Sequence, residues 1–259
     1  MNLKNIALTV SFLILLSTVN AQSHTKVIAH RGYWKTKGSA QNSIASLVKA
    51  NEINVYGSEF DVWLTSDGKL VINHDPVVGL DTLVIEDTPY SELKDLKLVN
   101  GEKLPTLANY LKKGKECKNI KLIIELKPHS TKEKEDNLTQ KVIEMVQKFN
   151  LENKVEYISF SLNIVKELIR LAPTAKVFYL NGDLSPRELK EIGCAGLDYN
   201  SSVMKKNEQW FDEAKAIGLL INVWTVNKED EMHYFIDKGA DFITTNEPET
   251  LKRIISEQK

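Results

Sequence analysis

Apolar and polar positions along the chain follow two periods. Short runs rich in Val, Ile, Leu, Phe and Tyr occur at 26–30, 56–63, 70–74, 121–126, 154–160, 176–180, 219–226 and 241–245, and they read as strands. Between most of them apolar residues recur every three or four positions. This predicts amphipathic helices over 43–51, 137–149, 162–171, 185–192, 204–217, 228–238 and 248–255. Strands alternating with helices make a mainly parallel sheet covered on the outside. Eight strands in 259 residues point to a (β/α)8 TIM barrel of the α/β class, with an open α/β sheet as the second choice. No GxGxxG follows the first strand, which disfavours a dinucleotide-binding open sheet.

One strand pair departs from the alternation. Only Asp67 and Gly68 separate EFDVWLTS from KLVINHD, and Asp-Gly favours a two-residue type I′ turn. The two strands are therefore expected to be antiparallel. With Ser66 opposite Lys69, Asp61 falls opposite His74, so Glu59, Asp61 and His74 share one face.

The first 21 residues stand apart from this pattern. Lys4 precedes an apolar run from Ile6 to Leu16, too short for the roughly 20 residues of a membrane span, and Val19-Asn20-Ala21 fits a cleavage site. Residues 1–21 read as a signal peptide, with an uncleaved anchor as the other reading. Both put the remaining single domain, 22–259, outside the cytoplasm, periplasmic or secreted. No stable membrane insertion is expected after cleavage.

Charge narrows the partners. The chain has 34 Lys+Arg against 35 Asp+Glu and no long block of one sign, which excludes the electrostatic footprint of a nucleic-acid binder. Cys117 and Cys194 lie in no CxxC pattern, so neither a zinc site nor a disulfide framework follows, and their pairing is left open. No coiled-coil segment signals an oligomer. A small-molecule ligand is the remaining partner.

In a barrel of this kind the ends of the strands line the site. Those ends carry His30-Arg31-Gly32, Glu59-x-Asp61, His74-Asp75 and Glu125-x-Lys127. Three carboxylates crowded together repel one another unless a cation neutralises them, and all-oxygen ligation selects a hard ion, Ca²⁺ or Mg²⁺. Arg31 and Lys127 supply fixed positive charge suited to a phosphate. His30 and His74 supply one proton acceptor and one proton donor, in an order left open, as cleavage of a phosphodiester requires.

These residues resemble the glycerophosphodiester phosphodiesterase family. The likeness rests on AHRGY at 29–33, QNS at 41–43, EFDVWLTSDGKLVINHDP at 59–76, GEKLPTL at 101–107, IIELKP at 123–128, ISF at 158–160, VWTVN at 223–227 and DFITTNEP at 241–248. The resemblance implies a TIM barrel with a small insertion after the third strand, about 76–118, and divalent-cation-dependent hydrolysis to glycerol 3-phosphate and an alcohol. It implies Glu59, Asp61 and Glu125 as metal ligands, His30 and His74 as the acid/base pair, Arg31 and Lys127 as phosphate contacts, and Trp224 at the glycerol end. One departure is visible: Gln41-Asn42-Ser43 stands where the family usually has Glu-Asn-Thr, so Gln41 and Asn42 are expected to support the site with one charge fewer. Two other readings keep the barrel, a phospholipase-type enzyme acting on intact or lyso-phospholipids and a non-catalytic phosphodiester-binding module.

Overall fold

The computed structural model describes residues 25–79 and 82–258, so the expected signal peptide, 1–21, lies outside the described residues. From the N-terminal side the elements are β1 (Lys26–Ala29), α1 (Ile44–Glu52), β2 (Gly57–Leu64), β3 (Leu70–Ile72), β4 (Val77–Val78), β5 (Leu83–Val84), α2 (Tyr90–Leu93), α3 (Leu107–Glu116) and β6 (Lys121–Leu126). Then follow α4 (Lys132–Phe149), β7 (Val155–Ser159), α5 (Leu162–Leu171), β8 (Val177–Tyr179), α6 (Pro186–Ile192), β9 (Gly196–Asn200), α7 (Ser201–Lys206), α8 (Gln209–Ala216), β10 (Leu220–Trp224), α9 (Glu229–Asp237), β11 (Phe242–Thr245) and α10 (Pro248–Glu257). The parallel order β1-β2-β6-β7-β8-β9-β10-β11 closes because β1 pairs with both β2 and β11. This is the expected eight-stranded barrel.

The eight staves are not the eight expected strands. The run at 70–74 forms β3, an antiparallel partner of β2 outside the barrel wall, while β9 has no counterpart among the expected strands. In β9 only Leu197 and Tyr199 face the helices, and Gly196, Asp198 and Asn200 leave no apolar run to detect. The expected helix at 204–217 is two helices, α7 and α8. Helix α4 begins before the expected 137, capped by the Thr131 hydroxyl with Glu133 and Glu135 in its first turn, where charged residues hide the period.

Side-chain alternation along the staves separates two apolar layers. Ile28, Ile123, Ile158, Phe178, Leu180 and Phe242 fill the lumen. Residues such as Val27, Phe60, Leu122, Leu197, Tyr199 and Ile243 pack outward against Leu47, Leu111, Val142, Leu168 and Leu251 of the helices. Each such fully buried side chain contributes about 1.5–3 kcal/mol. Cys117 and Cys194 lie buried in this outer layer as free thiols.

The β2–β3 hairpin corrects the expected register. Leu64 pairs with Leu70, Trp63 with Val71 and Val62 with Ile72, so the loop holds three residues and Asn73, not His74, follows opposite Asp61. Gly68, at φ 80°, provides the left-handed residue of such a loop. The Asp67 carboxylate accepts from the Thr65 hydroxyl at 2.6 Å and from the Tyr90 N–H at 3.0 Å, which holds the longer turn.

After β3 the chain leaves the barrel. Trp63, Val71, Ile85, Leu93 and Leu104 form a separate small core under β4, β5 and α2. Within the expected insertion of 76–118, α3 instead packs Leu107, Tyr110 and Leu111 into the main core and belongs to the outer helical layer. The inserted segment is thus shorter at its C-terminal end than expected.

Candidate active site

The charged groups meet at the rim where β1, β2 and β6 end. Glu59 and Asp61 alternate with apolar neighbours on β2, and Asp61 is in parallel register with Glu125 on β6. Glu59, Asp61 and Glu125 are buried and each offers a carboxylate oxygen within 4.8 Å of the others. Glu59 Oε2 accepts the Arg31 backbone N–H at 2.7 Å, whereas its buried Oε1 has no hydrogen-bond partner. An orphaned buried oxygen within a cluster of carboxylates is what a bound hard cation satisfies, so these residues fit a divalent ion.

Three carboxyl groups face two cations. Lys127 Nζ lies 2.7 Å from both Asp61 and Glu125, and Arg31 Nε lies 4.0 Å from Asp61. Burial pushes the Glu125 carboxyl up to about 8, helped by the Asp61 charge, and raises Glu59 well above the carboxylate range, helped by Asp61 and Glu125. Burial also opposes ionisation of Asp61, but Lys127, His74 and Asn42 outweigh it and hold this carboxyl below its ordinary value. Asp61 is thus the fixed anion of the set.

Each imidazole is oriented by a defined partner. Asn246 Oδ1 accepts the Trp34 indole N–H at 3.1 Å and contacts His30 Nδ1 at 2.9 Å. Because the indole can only donate, the shared atom is an acceptor, so His30 carries its proton on Nδ1 and leaves Nε2 as acceptor. Burial, with the Arg31 charge, brings His30 down to about 4 and keeps it neutral. His74 lies beyond β3 in the loop, half-buried, and reaches the site from there rather than through strand register. Its Nδ1 is held by Asp75 at 2.7 Å. Burial lowers its pKa also, while the Asp61 and Asp75 carboxylates act against that shift.

Gln41 and Asn42 are supports. Gln41 Oε1 accepts from Arg31 Nη1 at 2.6 Å, and the Asn42 side chain donates to Asp61 Oδ2 at 2.7 Å and accepts the Asp61 N–H at 3.2 Å. A neutral amide at position 41 therefore still orients the guanidinium. Opposite the charged groups, Ile158, Phe160, Leu180 and Trp224 complete a cavity of about 100 Å³ that His30, Arg31, Glu59, His74 and Glu125 also line. Trp224 stacks edge-on to Phe160 at 5.6 Å and donates its indole N–H to the Asp198 carbonyl at 2.9 Å.

The structure brings all ten expected residues to this rim and gives three others a part in it. Asn246 orients His30, and as a polar residue just past the last stave it was detectable by the same strand-end rule that found His30. Asp75 orients His74. Asp198, buried on β9 and pushed up to about 7 by burial, lines the cavity with Thr244. An acid inside the otherwise apolar Gly-Leu-Asp-Tyr was the signal for it.

The barrel brings a proton acceptor, a proton donor and fixed positive charge to one acidic pocket, which are the groups that cleavage of a phosphodiester asks for. Residues 30–250 match the glycerophosphoryl diester phosphodiesterase family, and the chain belongs to that family of enzymes. It is similar to a crystal structure of a glycerophosphodiester phosphodiesterase from Parabacteroides distasonis, 51% identical with a TM-score of 0.90 over 92% of this chain and 99% of that one. A phosphodiesterase from Oleispira antarctica, solved in complex with the product sn-glycerol-3-phosphate, is 26% identical with a TM-score of 0.77 over 89% of this chain and 96% of that one. A glycerophosphodiester phosphodiesterase of Caldanaerobacter subterraneus is 28% identical over 89% of this chain and 98% of its own length.

Proposed function

We propose that the chain hydrolyses glycerophosphodiesters to glycerol 3-phosphate and an alcohol, with a divalent cation, Ca²⁺ or Mg²⁺, held by Glu59, Asp61 and Glu125. The observation that carries this reading is the placement of two separately oriented imidazoles around one buried carboxylate triad. When bound, the cation supplies Lewis acidity toward a phosphate oxygen. Arg31, steered by Gln41, and Lys127 share the negative charge that develops on the phosphoryl group. His30, neutral with Nε2 as acceptor, takes a proton from the attacking water, whose oxygen forms the new bond to phosphorus as the bond to the alcohol oxygen breaks. His74, more exposed and backed by the Asp75 carboxylate, protonates the leaving alcohol oxygen.

The apolar wall of Ile158, Phe160, Leu180 and Trp224 suits the carbon face of the glycerol unit. The glycerol 3-phosphate bound by the Oleispira antarctica enzyme supports the same product here. The amino-terminal pattern supports a chain that is exported before it acts, to the periplasm or the medium, and cell fractionation tests that placement.

The deciding experiment follows release of glycerol 3-phosphate from glycerophosphocholine and glycerophosphoethanolamine after treatment with EDTA. The expected result is no release until Ca²⁺ or Mg²⁺ is returned. A folded sample that releases nothing with either ion would sink the reading.

A further inference from the structure

A second, larger depression adjoins the catalytic cavity. It occupies about 710 Å³ between the turn after β1 and the inserted segment, with Trp34, Lys35, Lys37, Gln41, Asn73 and Lys97 in its lining. The partition between the two spaces is made of site residues and their holders. Gln41 grips Arg31, Trp34 shares the Asn246 oxygen with His30, and Asn73 directly precedes His74. The catalytic cavity, about 100 Å³, is well below the roughly 300–1,000 Å³ of pockets that enclose a whole small ligand. It accepts one end of a diester, so the other end extends beyond it, and Gln41 and Asn73 of the groove adjoin Arg31 and His74 of the cavity through a side-chain bond and a peptide bond.

The charge of that groove is one-sided. Three of its lining residues are lysines and none is Asp or Glu. Lys35 is paired with Glu247 and lies over the Trp34 ring, while Lys37 and Lys97 are exposed and have no carboxylate partner among the described residues. The nearby acid Asp75 is already engaged by His74. Unpaired ammonium groups on a concave wall draw in anions and repel a quaternary ammonium.

We propose that this groove receives the leaving alcohol of the substrate and selects alcohols that carry a second negative charge, a further phosphate diester above all. The inference rests on the hydrolysis proposed above and adds its substrate class. Lys37 and Lys97 set the preference.

The test compares kcat/KM, with the activating cation present and at low salt, for bis(glycerophospho)glycerol, glycerophosphoglycerol and glycerophosphocholine. The expected order runs from the doubly anionic substrate to the cationic one, spanning about tenfold, as a pair of partly screened charges provides. In the Lys37→Ala/Lys97→Ala variant this ratio collapses toward one, because the anionic substrate loses attraction and choline loses repulsion. In the wild type the ratio also shrinks once salt exceeds the ~0.1 M at which the screening length is ~10 Å.

Equal kcat/KM for all three substrates, or a uniform drop in the variant, overturns the proposal while leaving hydrolysis intact. So does variant-sensitive binding to phosphatidylglycerol vesicles with indifferent turnover of the soluble diesters, which would assign the lysines to a bilayer. Turnover of none of the diesters overturns the underlying function and this inference with it. Both substituted lysines are exposed, and matched melting curves for variant and wild type separate selectivity from misfolding.

Discussion

The half of the barrel mouth built by β1, β2, the hairpin and β6 differs from the half built by β7 to β11 in how its side chains are held. In the first, each working group has a polar partner: Arg31 has Gln41, Asp61 has Asn42 and Lys127, His30 has Asn246, and His74 has Asp75. In the second, Ile158, Phe160 and Leu180 are held by packing and Trp224 by packing and one bond from its indole N–H to the Asp198 carbonyl, and the four present shape. Directional partners fix where charge and protons go, while packed faces fix which molecule fits. The first half should therefore govern turnover and the second affinity.

The strongest test of that division is removal of the imidazoles. His30→Ala and His74→Ala are each expected to lower kcat by about 10²–10⁴-fold with KM little changed. Near-normal turnover in both would remove the catalytic roles assigned to the charged half.

Trp224→Ala probes the other side. Losing its apolar face, a burial on the order of 1.5–3 kcal/mol, should raise KM by about tenfold or more and leave kcat within a few-fold. A collapse of kcat at unchanged KM would erase the distinction between the halves.

A further effect, with no bearing on turnover of the loaded protein, is expected on stability without the cation. Glu59 and Glu125 ordinarily titrate near 4.5, and burial and mutual repulsion raise both in the folded chain, Glu125 to about 8. The folded state therefore binds more protons than the unfolded one between those values, and stability must fall as pH rises through that window. From pH 5.5 to 7.5 the metal-free protein should lose on the order of 2 kcal/mol, read from urea unfolding in EDTA. Asp61, held low, contributes outside this range. Added Ca²⁺ or Mg²⁺ should abolish the loss, because the ion binds the deprotonated carboxylates. Stability that is flat or rising with pH in EDTA would show that the triad is not under repulsion.

The same contrast explains what could be read from the chain. Glu59-x-Asp61, Glu125-x-Lys127 and His30-Arg31 were legible because strand alternation puts such residues on one face, and buried charge needs a purpose. The apolar wall was not, because Ile158 and Leu180 look like any core residue until the barrel closes. The Asp67-Gly68 pair announced a hairpin but not its length, which depends on Thr65 and on the distant Tyr90 N–H. His74 reached its place for a different reason from the expected one, through the loop after β3. Helix α3 was missed because Gly114 and a run of lysines resemble a break. Gly114 is there because a Cβ would lie 2.7 Å from Leu122 on β6, a close approach visible only in three dimensions.

The inserted segment is tied at its base. Val71 bridges to Thr106, and the Ile72 N–H donates to the Pro105 carbonyl at 2.8 Å, so the chain leaves and re-enters the barrel layer at adjacent points. A loop whose ends are clamped together adds little closure entropy when its length changes. Changes of length around Lys97, between the buried Leu93 and Leu104, can therefore re-form the outer wall while the small core over Trp63 and Val71 and the carboxylates on β2 keep their positions. In this molecule the choice of leaving group can diversify on one clamped loop without re-engineering the reaction centre.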